Sequence, residues 1–296
     1  VRYAEKIGTF TPESPEWYAA RRAGLGGSDI AAVLGLSPWT SKFALWHRKA
    51  GNVGEERDNA GMSWGRRLES VIAEKWAEDH PDWMMRRTGT WRSRMRPWQI
   101  ANPDRLLNNG LSTARILEVK TAHGMDGWEW GETGSDQIPV YYRCQGMHYM
   151  DVFGMEFCEF AVLIGGSDYR EFTIKYDADE AEQMRQAGQE FLASLAAGRQ
   201  PDIDDSASTY QAIRQLHPDI DGLDIEIPAE TAVEYLAACK AETSVKKWKQ
   251  RTVSQVLDAM GTAKYATHGD ERIAMRTAVR DGTPFLRPIN RKEAAA

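Results

Sequence analysis

At 296 residues, with 42% hydrophobic residues and eleven tryptophans, the chain is long enough for one large or two ordinary domains around a real core. Its net charge of -6 excludes a globally basic coat, so any polyanion site must be local. The three cysteines, Cys144, Cys158 and Cys239, are scattered and form no Cys-x-x-Cys. That argues against zinc, an iron–sulfur cluster or a disulfide framework, and for buried thiols in a reducing cytoplasm. No run of about eighteen apolar residues occurs, and the first residues hold no apolar signal-peptide core, so a soluble cytoplasmic protein without a membrane partner is expected.

Residues 12–22 predict a short helix entered through proline. In 24–35, GLGGSDIAAVLG, a glycine-rich turn leads to a helix with Ser28 as N-cap and Gly35 as its stop. Residues 37–51 predict a turn and helix with Phe43 and Trp46 on its apolar side. Residues 63–80 predict an amphipathic helix, with Leu68, Ile72 and Trp76 at four-residue steps and Val71 beside them. Strand-like segments follow at 83–91, 96–102 and 114–120, then a looser stretch at 123–136. Pro139 and Gly154 bracket a helix. Residues 156–166 and 169–176 predict a hairpin, and 178–198 a helix. An acidic, polar break at 201–208 separates an expected 1–200 domain from a 201–296 extension. The extension holds an uninterrupted helical stretch at 229–260, roughly 45 Å if unbroken, and strand-like pieces at 271–279 and 283–289. This order predicts a mixed α/β sheet with flanking helices.

The most informative pattern is Pro103-Asp104 followed by Glu118-Val119-Lys120. Residues two apart in a strand share a face, so Glu118 and Lys120 point the same way while Leu117, Val119 and Ile116 feed a core. If the two segments pair as a hairpin, Asp104 approaches Glu118. Two carboxylates and one ammonium would then converge, and hard oxygen ligands of this kind suit Mg2+ or Mn2+. The bland alternative is a solvated Glu–Lys face on a surface hairpin.

Other groups extend the pattern. Glu69, beside the apolar stripe of the 63–80 helix, is either a third carboxylate for the site or an ordinary solvated glutamate. Gln145 and Tyr149 lie one helical turn apart and share a face, suited to orienting a water, holding phosphate or stacking on a base. Arg86, Arg87, Arg92, Arg94 and Arg96, interleaved with Trp91 and Trp98, form a local basic run suited to phosphate, or a solvated edge. Arg21 and Arg22 precede a Gly24–Ser28 turn that offers free N–H groups to a terminal phosphate. The basic run 246–251 reads as a solvated helix face.

Taken together, Trp17…Arg22-Ala-Gly24, Gly26-Gly27-Ser28-Asp29, Trp64-Gly65…Glu69, Pro103-Asp104, Glu118-Val119-Lys120 and Gln145…Tyr149 resemble, in order, the PD-(D/E)xK nuclease superfamily. More narrowly, residues 12–200 resemble the lambda-type, YqaJ-like viral recombinase exonucleases. The resemblance implies a restriction-endonuclease-like core, a central mixed sheet flanked by helices, with a mainly helical C-terminal extension. It implies that Asp104, Glu118 and the Val119 carbonyl ligate Mg2+ or Mn2+, with Glu69 reaching a second metal. Lys120 would position or deprotonate the attacking water, and Gln145 would support it. Arg22 and Ser28 would hold a 5′-terminal phosphate, with Tyr149, Arg92 and Arg94 on DNA. It further implies 5′ to 3′ digestion of double-stranded DNA ends in phage-type recombination, by a homo-oligomer that feeds a single-strand-annealing protein. Two departures stand out: Arg94 occupies the place of a further family acid upstream of the Pro-Asp pair, and Arg105 that of the usual glycine after it. Alternatives are an endonuclease of restriction or repair type, a catalytically silent DNA-binding module, and an unrelated α/β scaffold.

Overall fold

A computed structural model of the chain describes residues 2–55, 59–110, 114–123, 129–280 and 282–289. Residues 124–128, within the expected loop at 123–136, lie outside them. Strand β1 (Ala4–Gly8) is followed by helices α1 (Pro15–Arg22), α2 (Gly27–Val33), α3 (Lys42–Lys49) and α4 (Ala60–Asp79). Then come β2 (Met84–Arg87), β3 (Thr90–Ser93), β4 (Ile100–Ala101), β5 (Arg105–Asn108) and β6 (Ala114–Ala122). Helix α5 (Val140–Phe153), the hairpin β7 (Phe157–Ile164) and β8 (Asp168–Lys175), α6 (Ala178–Ala196) and α7 (Ala207–Leu216) complete the first compact unit, Val1–Asp219.

The central sheet has five strands in the order β2-β5-β6-β7-β8, antiparallel throughout except for the parallel β6–β7 pair. It is the expected mixed sheet with helices on both faces. On one face, Leu106, Ile116, Phe160 and Val162 share a core with Met147, Met150 and Phe153 of α5 and with Ile30 and Val33 of α2. On the other, Leu107, Leu117, Val119 and Ala161 meet Ile72, Ala73 and Trp76 of α4. Strand alternation therefore decides which helix each residue of β5 and β6 faces. Val71, expected beside the α4 stripe, is exposed, because the stripe widens on the other side of Ile72, where Ala73 is buried.

The single strand expected at 83–91 is two. β2 joins the central sheet, while β3 belongs to a second, three-stranded sheet, β1-β3-β4. The break falls at Thr88-Gly89, where a Cβ on Gly89 would sit 2.4 Å from the Gly8 carbonyl oxygen. β1 lies in a segment with no strong alternation and is held by pairing with β3, Ala4 opposite Ser93.

Ser28 is not the N-cap of α2. Gly26 is, and its N–H is accepted by Asp29 Oδ2 at 2.9 Å. The acidic stretch after 201, expected to open a separate extension, lies within the first unit. There α7 packs on α3, with Ser41 Oγ and Thr209 Oγ1 2.7 Å apart and Phe43, Ala44 and Ala212 in one buried cluster. Of the thiols, Cys144 and Cys158 are buried but Cys239 is exposed.

The second unit, Ile220–Ala296, consists of α8 (Ala229–Met260) and an antiparallel sheet β11-β10-β9, with β9 Tyr265–His268, β10 Glu271–Thr277 and β11 Phe285–Pro288. The basic run at 246–251 is exposed on α8, as expected. Among the described residues no helix is long and apolar enough to cross a membrane.

Candidate active site

β5 and β6 pair antiparallel with Arg105 opposite Leu117, which sets the Asp104 loop directly against Glu118 and Val119. Asp104 Oδ2 accepts the Val119 N–H at 2.8 Å. In a strand the N–H and C=O of one residue address the same neighbour, so the Val119 carbonyl faces the Asp104 side too. Glu118 and Lys120 lie on the α5 face with Ile116. Lys120 Nζ is 3.3 Å from Glu118 Oε2 and donates to Gln145 Oε1 at 3.0 Å. Gln145 Nε2 lies 3.4 Å from both Glu118 oxygens and donates to Tyr149 Oη at 3.1 Å. The lysine also sits over the Tyr142 ring, 4.9 Å from its centroid.

The electrostatics are strained. Glu118 is fully buried. Burial first, then the Asp104 carboxyl beside it, push Glu118 well above the usual carboxylate range. Asp104 is raised as well, by burial and by nearby Glu69, against the lowering pull of Lys120. Burial disfavours the charged Lys120 ammonium, but Glu118 and Asp104 outweigh it and raise the lysine. Two touching carboxyls with one shared lysine are a poor arrangement in a dry site unless a further cation joins them. The donor set, two carboxylates and a main-chain carbonyl, is all hard oxygen and fits Mg2+ or Mn2+.

Asp104, Glu118, Lys120, Gln145 and the Val119 main chain are thus brought together as expected. Other expected site residues are placed differently. Glu69 accepts from Arg105 Nη1 at 2.6 Å, and the same nitrogen donates to the Asp104 carbonyl oxygen at 2.8 Å. Among the described residues, no three or more His, Cys, Asp or Glu side chains are grouped to hold a metal ion. Tyr149 is buried, its hydroxyl donating to the Asn102 carbonyl at 3.3 Å, so its ring braces the site and is closed to base stacking. Arg92 and Arg94 both pair with Glu5, and Arg96 with Asp151, so this part of the arginine run is tied to the protein's own acids. Trp91 and Trp98 of the same run pack against the core.

At the glycine-rich turn, Arg22 pairs with Glu55 at 2.8 Å, whereas Arg21 Nη2 reaches Ser28 Oγ at 3.3 Å and stacks over Trp17. Lys49, which motif reading passed over, fixes this turn. Its ammonium donates to the Arg21 and Gly24 carbonyls at 2.7 Å each and to Asp29 Oδ2 at 2.8 Å. A Cβ on Gly27 would fall 2.6 Å from Tyr149 Cε1 and 2.9 Å from Gln145 Cγ, so glycine is what lets α2 close onto the Gln145–Tyr149 face. The turn carrying Arg21 and Ser28 therefore borders the acid cluster. Tyr142 and Asn102 were also unmarked by motif, and Arg105 was marked only as a departure from it. The excess of tyrosines at the start of α5 was the one available signal, and only for Tyr142. His148, on the same helix, is buried and bonded to the Ile100 carbonyl.

Residues 16–156, which contain all of these groups but Glu5, match the YqaJ-like viral recombinase domain. The uncharacterized protein YqaJ of Bacillus subtilis (strain 168) is 27% identical over 272 residues, 89% of this chain and 83% of that protein. Among solved structures, the alkaline exonuclease LHK-Exo of Laribacter hongkongensis aligns with a TM-score of 0.51 at 19% identity, covering 63% of this chain and 94% of that one. The same exonuclease in complex with dAMP aligns with a TM-score of 0.51 at 20% identity, over the same shares of the two chains. At such identities the likeness establishes a common fold. The chain is thus similar to the YqaJ-like viral recombinase domain over residues 16–156, and it shares its fold with an alkaline exonuclease.

Proposed function

We propose that this protein is a divalent-metal-dependent deoxyribonuclease that digests double-stranded DNA from its ends, 5′ to 3′, in phage-type recombination in the cytoplasm. The observation that carries this is the convergence of Asp104, Glu118, the Val119 main chain and Lys120, with Gln145 bridging the lysine and the glutamate. Asp104, Glu118 and the Val119 carbonyl would hold Mg2+ or Mn2+. Such an ion, when bound, supplies Lewis-acid polarisation of a phosphoryl oxygen and a more acidic water.

The chain's own residues do the rest. Lys120, kept charged by its two carboxylate neighbours, acts as a hydrogen-bond donor that orients the attacking water and balances negative charge growing on the phosphate. Gln145 fixes the lysine through its amide oxygen and Glu118 through its amide nitrogen. Tyr149 anchors Gln145 to the Asn102 main chain. Arg21 and Ser28, rather than Arg22, are assigned to the 5′-terminal phosphate, because they meet each other at the turn bordering the acid cluster. Phosphate contacts of this kind position a duplex without reading its sequence.

Residues 220–296 are assigned to self-association or to docking a single-strand-annealing protein, supported by apolar groups left exposed along α8, among them Val233, Leu236 and Trp248. Light scattering of a chain ending at 219 tests the first role. The activity is tested with end-labelled linear duplex in Mg2+, comparing 5′-phosphate with 5′-hydroxyl ends and linear with closed circular DNA. Release of mononucleotides from linear DNA only, faster from 5′-phosphate ends and abolished by EDTA, is expected. Cutting of closed circles would make the protein an endonuclease, and inactivity on all substrates would end the nuclease assignment.

A further inference from the structure

Arg105 stands where the resemblance led us to expect glycine, and it is one of the few charged side chains fully withdrawn from solvent, 5% exposed. Its position follows from β5. Leu106 faces the α5 side, while Leu107, two residues on from Arg105, packs against α4. Alternation sends Arg105 to that same α4 side, where Glu69 projects from the helix. One nitrogen, Nη1, then serves both the Glu69 carboxylate at 2.6 Å and the Asp104 carbonyl at 2.8 Å. A buried guanidinium stripped of its partner is costly, so this pair resists opening.

We propose that Arg105 is a fixed cation of the site, a positioning residue that engages Glu69, withholds it from the Asp104–Glu118 pair and limits that pair to a single divalent ion. This rests on reading Asp104 and Glu118 as a metal site. The charges support it. Three acids and two bases leave the cluster with one net negative charge. One divalent ion converts that to one positive charge, which one phosphodiester balances. A second divalent ion would leave a large surplus in a poorly solvated volume, where like charge is expensive. The guanidinium, anchored to the Asp104 main chain, also ties the Pro103–Asp104 loop to α4 through Glu69.

The test is a count of bound Mn2+ by electron paramagnetic resonance on the full chain, alone and with a duplex whose terminal linkage is non-hydrolysable. Wild type is expected to bind one Mn2+, and Glu69→Gln also one, with the same Kd. Arg105→Ala is expected to bind a second Mn2+, which the Arg105→Ala, Glu69→Gln double variant loses again, while Arg105→Lys stays at one. Two Mn2+ in wild type, loss of Mn2+ binding in Glu69→Gln, or a single Mn2+ in Arg105→Ala would each overturn the proposal. Should Arg105→Ala fail to fold, wild type and Glu69→Gln still decide. A wild type that binds no Mn2+ at all brings down the metal reading itself, an outcome distinct from a count of two.

Discussion

Two buried carboxylates on opposite flanks of α5 show what separates working charge from structural charge. Asp151 is 6% exposed and fully satisfied. It accepts from Arg96 Nη2 at 2.9 Å, Gln99 Nε2 at 2.8 Å, Arg185 Nη1 at 2.7 Å and Tyr176 Oη at 3.0 Å. Glu118 is buried at least as deeply, yet its donors, Lys120 and Gln145, stand at 3.3–3.4 Å and a second carboxyl lies against it. A fold maximising stability treats a buried acid as it treats Asp151. An under-satisfied, like-charged pair persists where a ligand completes it.

The largest expected effect tests that contrast through activity. Lys120→Ala should lower the rate of duplex digestion by about 10²–10³-fold or more, with circular dichroism and Tm near wild type. A variant that keeps wild-type activity would sink the mechanism. Next comes Asp151→Asn, which takes the charge from a buried acid and leaves two half-buried guanidinium groups, Arg96 and Arg185, undercompensated. It should cost about 3–5 kcal/mol of stability, read from urea midpoints, while activity per folded molecule is retained.

Glu118→Gln should do the reverse. Activity in Mg2+ is lost, but in EDTA removing a buried like charge raises stability by about 0.5–2 kcal/mol. A destabilised Glu118→Gln would mean that the pair is structural. Asp29 sharpens the compensated side of the contrast through pH. Burial raises its pKa, but Lys49 and Arg21 outweigh burial and hold it below the usual aspartate value. A depressed folded pKa contributes stability that is present above the unfolded value, about 3.9, and is lost as pH falls through the folded one. Wild-type Tm should therefore drop more steeply with acid than that of Asp29→Asn, and parallel curves would refute the assignment. The smallest effect is expected from Arg92→Ala and Arg94→Ala. As half-exposed partners of Glu5 they should change stability by under about 1 kcal/mol and leave the salt dependence of duplex binding unaltered.

How legible this was in the sequence depended on the range of the interaction concerned. The Pro-Asp to Glu-x-Lys hairpin could be placed because strand period and a short turn bring Asp104 to Glu118 with little outside help. The start of α7 and the N-terminal β1 could not, because each is held by distant partners, Thr209 on Ser41 and Ala4 opposite Ser93. The partners of the arginine run were hidden for the same reason. Whether a guanidinium serves DNA or an internal acid is decided by what folds beside it, and Glu5 lies 87 residues from Arg92.

By itself, then, the sequence determined the order of elements, the limits of helices such as α5 and α8, and the set of hard-oxygen groups proposed to bind a divalent ion, all governed by local periodicity, capping and residue chemistry. Tertiary structure alone decided which arginine meets Ser28, that Tyr149 is a brace, and that Arg105 holds Glu69 across 36 residues. Those outcomes depend on which face of the sheet each helix covers, and no local pattern encodes a charge's partner.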